Sequence, residues 1–282
     1  MKYPENNVLI LTYWSYNDAL IQTYTLPYAK IIAEILPDNN KIFLLTLDKS
    51  KTNHTNNERK IHNISVQYYS FGFRGLYMWI KTLFKLILLI KQERITTIHA
   101  WCTPAGMLGY LLSILTGKSL IIDSYEPHAE AMVENGTWKK NGFAFKLLFQ
   151  FEKLQTKRAK YLIAAAEGMK SYAKEKFDHQ RNNFFIKPAC VNLELFSEKK
   201  LKDQKLLIKL NLQNKLVCVY AGKFGGIYLD KEAFDFFKAA ENYWGEEFRV
   251  LILSYHSKEE IDQLRIQSGL KQETIILKFI PS

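Results

Sequence analysis

Three stretches of this 282-residue chain carry residue types able to do chemistry. The first is IIDSYEPHAEAMVENGTW, residues 121–138, which places Asp123, Glu126, His128, Glu130 and Glu134 just after an apolar run. A histidine among carboxylates can act as a general base toward a hydroxyl. The carboxyl end of a strand is also where open α/β sheets bind ligands. The competing reading has Asp123 and Glu126 capping the next helix, with His128 on its surface.

The second stretch is LVCVYAGKFGGIY, Leu216 to Tyr228, where Gly222, Gly225 and Gly226 surround Lys223 at the end of a strand. Glycine amides and an ammonium placed there can hold a phosphate. The G-x-x-G-G spacing fits neither the dinucleotide fingerprint nor the Walker A pattern, and a plain tight turn accounts for the glycines as well. The third is TYWSYNDALIQTY, residues 12–24, a strand-to-helix turn with no glycine. It cannot approach a pyrophosphate as dinucleotide folds do. Trp14, Tyr16, Asn17 and Asp18 can line a pocket for a sugar, while core packing of the aromatic rings is the alternative.

The elements that must position these residues alternate along the chain. Apolar strands are expected at Val8–Tyr13, 41–47, 64–69, 97–101, 119–123, 161–166 and near Pro188. Helices fall between them, one from Ala19 to Leu36 and one over Leu76–Ile90. In the latter, Leu76, Trp79, Ile80, Leu83, Phe84, Ile87 and Leu88 recur at helical spacing. That helix reads as a cover for the sheet in preference to a membrane-surface helix, although its lysines leave room for contact with anionic lipid. Strands alternating with helices imply a parallel sheet covered on both faces. A lysine-rich connector with one helix follows, and the alternation resumes with strands at 216–220, 249–255 and 274–279. The organisation expected is a first α/β domain over 1–195, a basic connector over 196–214 and a partial second domain over 215–282, one face of whose sheet stays uncovered.

Composition narrows the function. Hydrophobic residues make up 48% and charged residues 24%, a globular balance. Cys102, Cys190 and Cys218 are odd in number and far apart, so neither a disulfide framework nor a structural zinc site is expected. No metal ligands or cofactor are assigned, and the compartment expected is the reducing cytoplasm, with room for contact at the inner face of a membrane. The longest apolar run in a helix, LILLI at 86–90, is far too short to span a bilayer. The net charge of +11 favours anionic partners or a solvated surface. Nucleic acid is not expected, because the lysines are scattered and no recognition motif is present.

Several stretches together resemble glycosyltransferase family 4, which has the GT-B fold. They are RAKYLIAAAEGMKSYAKEKF, FFIKPACVNLELF and LVCVYAGKFGGIYLDKEAFDFF. The family patterns are Ala-Asp-x-Ile-Ile-x-x-Ser-Glu-Gly-Met and Ile-Pro-x-x-Val-Asp-x-x-x-Phe. DSYEPHAEAMVENGTWKK followed by FEKLQ is similar to one branch of that family. The resemblance covers roughly residues 95 to 280. It departs from the family at Ala166 (serine), at Asn192 (aspartate) and at Tyr125–Glu126 (Arg-Gly), and the family's Glu-x7-Glu motif would lie beyond Ser282.

The resemblance implies two Rossmann-like domains, the second incomplete, with a nucleotide-sugar donor on the second and an acceptor on the first. Gly222, Lys223, Gly225 and Gly226 would approach the donor diphosphate. His128 or Asp123 would lie near the transferred sugar. Trp14, Tyr16, Asn17, Asp18 and Glu126 would shape the acceptor site. The activity implied is metal-independent, retaining transfer of a sugar to a glycan or lipid-linked acceptor in polysaccharide assembly, weak or lost without the end of the donor domain. The alternative is a non-catalytic glycan-binding module, or one half of a split enzyme whose partner chain supplies the rest.

Overall fold

Short apolar runs become strands because, buried on both faces, they need no polar alternation. In a computed structural model of the chain, which describes residues 6–48, 60–69, 72–194, 196–197, 202–225 and 228–280, they form two separate parallel sheets. The chain divides into a unit Met1–Cys190 and a unit Val191–Ser282.

The first unit holds β1 (Asn7–Leu11), α1 (Leu26–Ile35), β2 (Ile42–Asp48), β3 (Ile61–Gln67), α2 (Phe73–Gln92), β4 (Ile95–Trp101) and α3 (Thr103–Thr116). It continues with β5 (Ser119–Asp123), α4 (His128–Glu134), α5 (Phe143–Arg158), β6 (Tyr161–Ala164), α6 (Gly168–Phe177) and β7 (Phe184–Ile186). Its seven strands run in the order β3-β2-β1-β4-β5-β6-β7, all parallel. The order reverses between β1 and β4, which opens a crevice at their carboxyl ends. Burying side chains such as Leu9, Leu11, Ile98, Leu120 and Leu162 fully stabilises this core by about 1.5–3 kcal/mol each. A second cluster on the other face packs Ile10, Ile42 and Leu44 with Ile21 and Ala29.

Two local features depart from the sequence expectation. The helix expected from Ala19 to Leu36 contains a π-helical turn at Ile21–Thr25, where the Leu26 N–H donates to the Ile21 carbonyl. The wide turn falls just before Pro27, which has no N–H to offer the ladder. On α2, the apolar residues do not share one sheet-facing stripe. Gly75, Thr82, Leu86 and Ile90 are buried, whereas Leu76, Ile80, Phe84 and Leu88 are exposed. The helix carries more apolar side chains than one face can hold: Trp79, Leu83, Leu86, Ile87 and Ile90 pack on the core, and the four exposed ones stay outside.

The second unit holds α7 (Gln204–Lys209), β8 (Leu216–Ala221), α8 (Asp230–Trp244), β9 (Phe248–Ser254), α9 (Lys258–Ser268) and β10 (Ile275–Phe279). Its three parallel strands run β10-β9-β8. Phe234, Phe237 and Ile261 of the helices pack on Phe248, Val250 and Ile252 of the central strand. Burial alternates along β9, so one face is covered and the other only half-covered, and Val219 on β8 is exposed.

Candidate functional site

Asp123, the last residue of β5, is buried at the carboxyl edge of the sheet. His99 of β4 donates from Nε2 to its Oδ2 at 3.1 Å, and Lys187, just past β7, donates from Nζ to the same oxygen at 2.7 Å. The Ser124 amide donates to Oδ1 at 2.7 Å. Burial pushes the Asp123 carboxyl up, but the bonds and charges of His99 and Lys187 outweigh it and hold the group below the usual range. Burial likewise lowers Lys187, although Asp123 opposes the shift. The Lys187 ammonium lies 4.0 Å from the ring centroids of both Tyr28 and Trp101 and 5.1 Å from that of Tyr24. Tyr24 and Tyr28 meet edge to face, with centroids 5.3 Å apart. The π-helical turn that contains Tyr24 leads directly into the turn of α1 that contains Tyr28. A lysine from the far side of the sheet thus ends over the β1/β4 crevice inside three aromatic rings.

Glu126 and His128, which the sequence singled out, are brought together. The His128 Nδ1–H donates to Glu126 Oε1 at 2.8 Å, and both side chains are partly exposed. That bond leaves the lone pair on Nε2, the tautomer a general base needs. The segment is pinned from below by a polar face of α5. Glu152 Oε1 accepts the His128 backbone N–H at 2.9 Å. The Tyr125 hydroxyl donates to Thr156 Oγ1 at 3.1 Å, the Thr156 proton being given to the Glu152 carbonyl. From α3, the Thr103 hydroxyl donates to the Glu126 carbonyl at 3.2 Å. Glu152 is fully buried, and this burial pushes its carboxyl up to about 8 despite the backbone N–H donors. Asp123 does not cap the helix, since its oxygens serve His99, Lys187 and Ser124.

The turn after β1 folds over the end of β2. Leu47 N–H donates to the Trp14 carbonyl at 2.9 Å, and the Ser15 hydroxyl and Tyr16 N–H both reach Asp48 Oδ1. Tyr16 is buried in the core and Trp14 half-buried against both core clusters. Asp18 accepts from the Leu20 N–H at 2.9 Å, and Asn17 is exposed. Of the residues expected to meet an acceptor, Asn17 and Glu126 present the most surface.

In the second unit the segment after β8 carries an isolated antiparallel bridge between Gly225 and Tyr228. Gly225 has φ +88°, a left-handed conformation that favours glycine, and exchanges both backbone hydrogen bonds with Tyr228. The Gly222 N–H donates to the Leu253 carbonyl and the Phe224 N–H to His256 Nε2. The amides of Gly222, Phe224 and Gly225 are therefore occupied within the protein, and Gly226 lies outside the described residues. The Lys223 ammonium sits 4.9 Å over the Tyr228 ring. His256 also lines a cavity of about 510 Å³ with Lys258, Ile261, Arg265, Leu277 and Phe279 among others, all from α9, β10 and the segments flanking them. Among the described residues, no group of three or more His, Cys, Asp or Glu is placed to hold a metal ion.

No family model matches the chain, and no curated protein matches it. Solved structures do. Sucrose-phosphate synthase from Thermosynechococcus elongatus superposes with TM-score 0.68 at 11% identity over 99% of this chain and 71% of its own. A glycosyltransferase from Rickettsia africae gives 0.65 at 12% identity, covering 99% and 69%. Anabaena HepE in complex with UDP gives 0.63 at 12% identity, covering 98% and 70%. The fold is GT-B.

Within this GT-B chain, the residues that sequence reasoning missed are Lys187, His99, Tyr24, Tyr28, Trp101 and Glu152. The available hints were a histidine inside the apolar run TIHAW and an isolated lysine directly after FFI.

Proposed function

We propose that the chain is a glycosyltransferase of the family 4 type, moving a sugar from a nucleoside-diphosphate sugar to a hydroxyl of a glycan or lipid-linked acceptor without a metal ion and with retained configuration. The observation that carries this reading is the GT-B fold across 98–99% of the chain, shared with glycosyltransferases, one of them a UDP complex. The Lys223 ammonium would oppose the charge that builds on the departing diphosphate. His128, oriented by Glu126, would take the acceptor proton. Asp123 would act through Lys187 rather than on substrate. Trp14, Asn17 and Asp18 would border the acceptor, and Tyr16 would hold that turn from the core.

Titration calorimetry with UDP, GDP, ADP and their glucose conjugates tests the reading, followed by nucleotide-release assays over a panel of glycan acceptors. One nucleotide should bind, and Lys223→Ala should weaken it about tenfold, the loss of one charge-assisted contact. A folded protein that binds none of them at millimolar concentration would sink the proposal. The occupied amides of Gly222, Phe224 and Gly225 favour a second reading, a module that binds glycans without turnover. Glycan binding with no nucleotide binding is its signature.

A further inference from the structure

The outer surface of α2 has no place in that reading. Phe73, Tyr77, Ile80, Phe84 and Leu88 recur at spacings of three and four and are between 46% and 96% exposed. The opposite face of the same helix, with Gly75, Leu86 and Ile90, is buried in the core. A helix that is apolar on both sides needs an apolar medium on both sides. The neighbouring α3 adds exposed Leu111, Ile114 and Leu115. Arg74, Lys81 and Lys85 run beside the apolar stripe, Lys91 closes its end, and α2 contains no acidic residue.

We infer that α2 rests on a membrane surface rich in anionic lipid, with its apolar stripe among the acyl chains and its cations at the headgroups. The charge pattern selects this occupant. A second copy of the chain would bring two cationic stripes together, whereas anionic headgroups neutralise them. The helix lies along the surface and does not cross it. Among the described residues, no helix is long and apolar enough to span a membrane.

Co-sedimentation of the full chain with phosphatidylcholine vesicles, with and without phosphatidylglycerol, tests this independently of any transferase activity. Binding is expected only with phosphatidylglycerol and should weaken as salt rises. Lys81→Gln with Lys85→Gln should lower affinity about 25-fold, roughly fivefold per lysine. Phe84→Ser with Leu88→Ser should abolish binding, with circular dichroism unchanged because both side chains are already in solvent. Three results would overturn the inference: no binding to phosphatidylglycerol vesicles, equal binding by the lysine variant, or a wild-type dimer that the Phe84/Leu88 variant converts to monomer.

Discussion

Lys187 Nζ lies 2.7 Å from Asp123 Oδ2 and 4.0 Å from the centroids of Tyr28 and Trp101, so one ammonium serves a buried carboxylate and an aromatic cage together. Each partner offsets part of the cost of removing that charge from water.

Breaking the pair should therefore cost more than a surface ion pair would. Asp123→Asn leaves two cationic or hydrogen-bonding partners facing a neutral amide and should destabilise by about 3 kcal/mol. Lys187→Met keeps the contact with the rings and should cost less. In a double-mutant cycle by urea denaturation, a coupling energy near zero would show that the two side chains act separately. The Asp123 contribution has a definite sign with pH. Its carboxyl is lowered in the fold, so the stabilisation is present above its ordinary pKa and disappears as pH falls through the folded value.

Glu152 predicts the opposite slope. Burial raises its carboxyl from 4.5 to about 8, so the folded protein holds a proton that the unfolded chain releases above 4.5. Stability should then fall as pH rises between those values. Glu152→Gln should remove this slope and gain about 2–4 kcal/mol over wild type near pH 8. Unfolding free energies of the two proteins at several pH values, compared by difference, isolate the effect from other titrating groups. Parallel curves would contradict it.

Gly106 sets how closely α3 meets α5. A methyl group there would overlap the buried side-chain amide of Gln155. Gly106→Ala should destabilise by about 1–3 kcal/mol through overpacking. In a Gln155→Ala background the penalty should shrink, because the obstructing amide is gone. Equal penalties in both backgrounds would place the strain elsewhere.

His128 offers a kinetic test of the proposed chemistry. Its Nδ1 is engaged by Glu126, which leaves Nε2 for proton transfer. His128→Ala should lower turnover about 100-fold while nucleotide affinity stays unchanged. Glu126→Gln should produce a smaller loss, since it frees the ring's orientation without removing it. An equal fall in nucleotide affinity would mean that His128 binds donor instead.

The parallel architecture was legible because buried strands advertise themselves. Runs such as VLIL at 8–11 and IFLLTL at 42–47 have no polar alternation, and strands and helices take turns along the chain. The pairing of Glu126 with His128 was legible from their closeness in sequence. Lys187 was not. Its partners come from β4, β5 and the helical segment after β1, and only the strand order places them beside it. Glu152, Gln155 and Thr156 were illegible for another reason. A polar triplet on one helix face reads as a solvated face, yet all three are fully buried under the 123–128 segment. On α2, Trp79, Leu83 and Ile87 of the expected stripe do pack on the core, while Leu76, Ile80, Phe84 and Leu88 stay exposed, a division that helical spacing alone does not specify.

The span of the Lys187–Asp123 contact, 64 residues, also bears on how the protein comes off the ribosome. A nascent chain that has emerged only through β6 already carries the β5 carboxylate and the aromatic rings, with no ammonium to join them. The first unit's carboxyl edge is therefore completed in synthesis by nearly its last residues, with the positive charge that meets Asp123 added after every other member of the cluster.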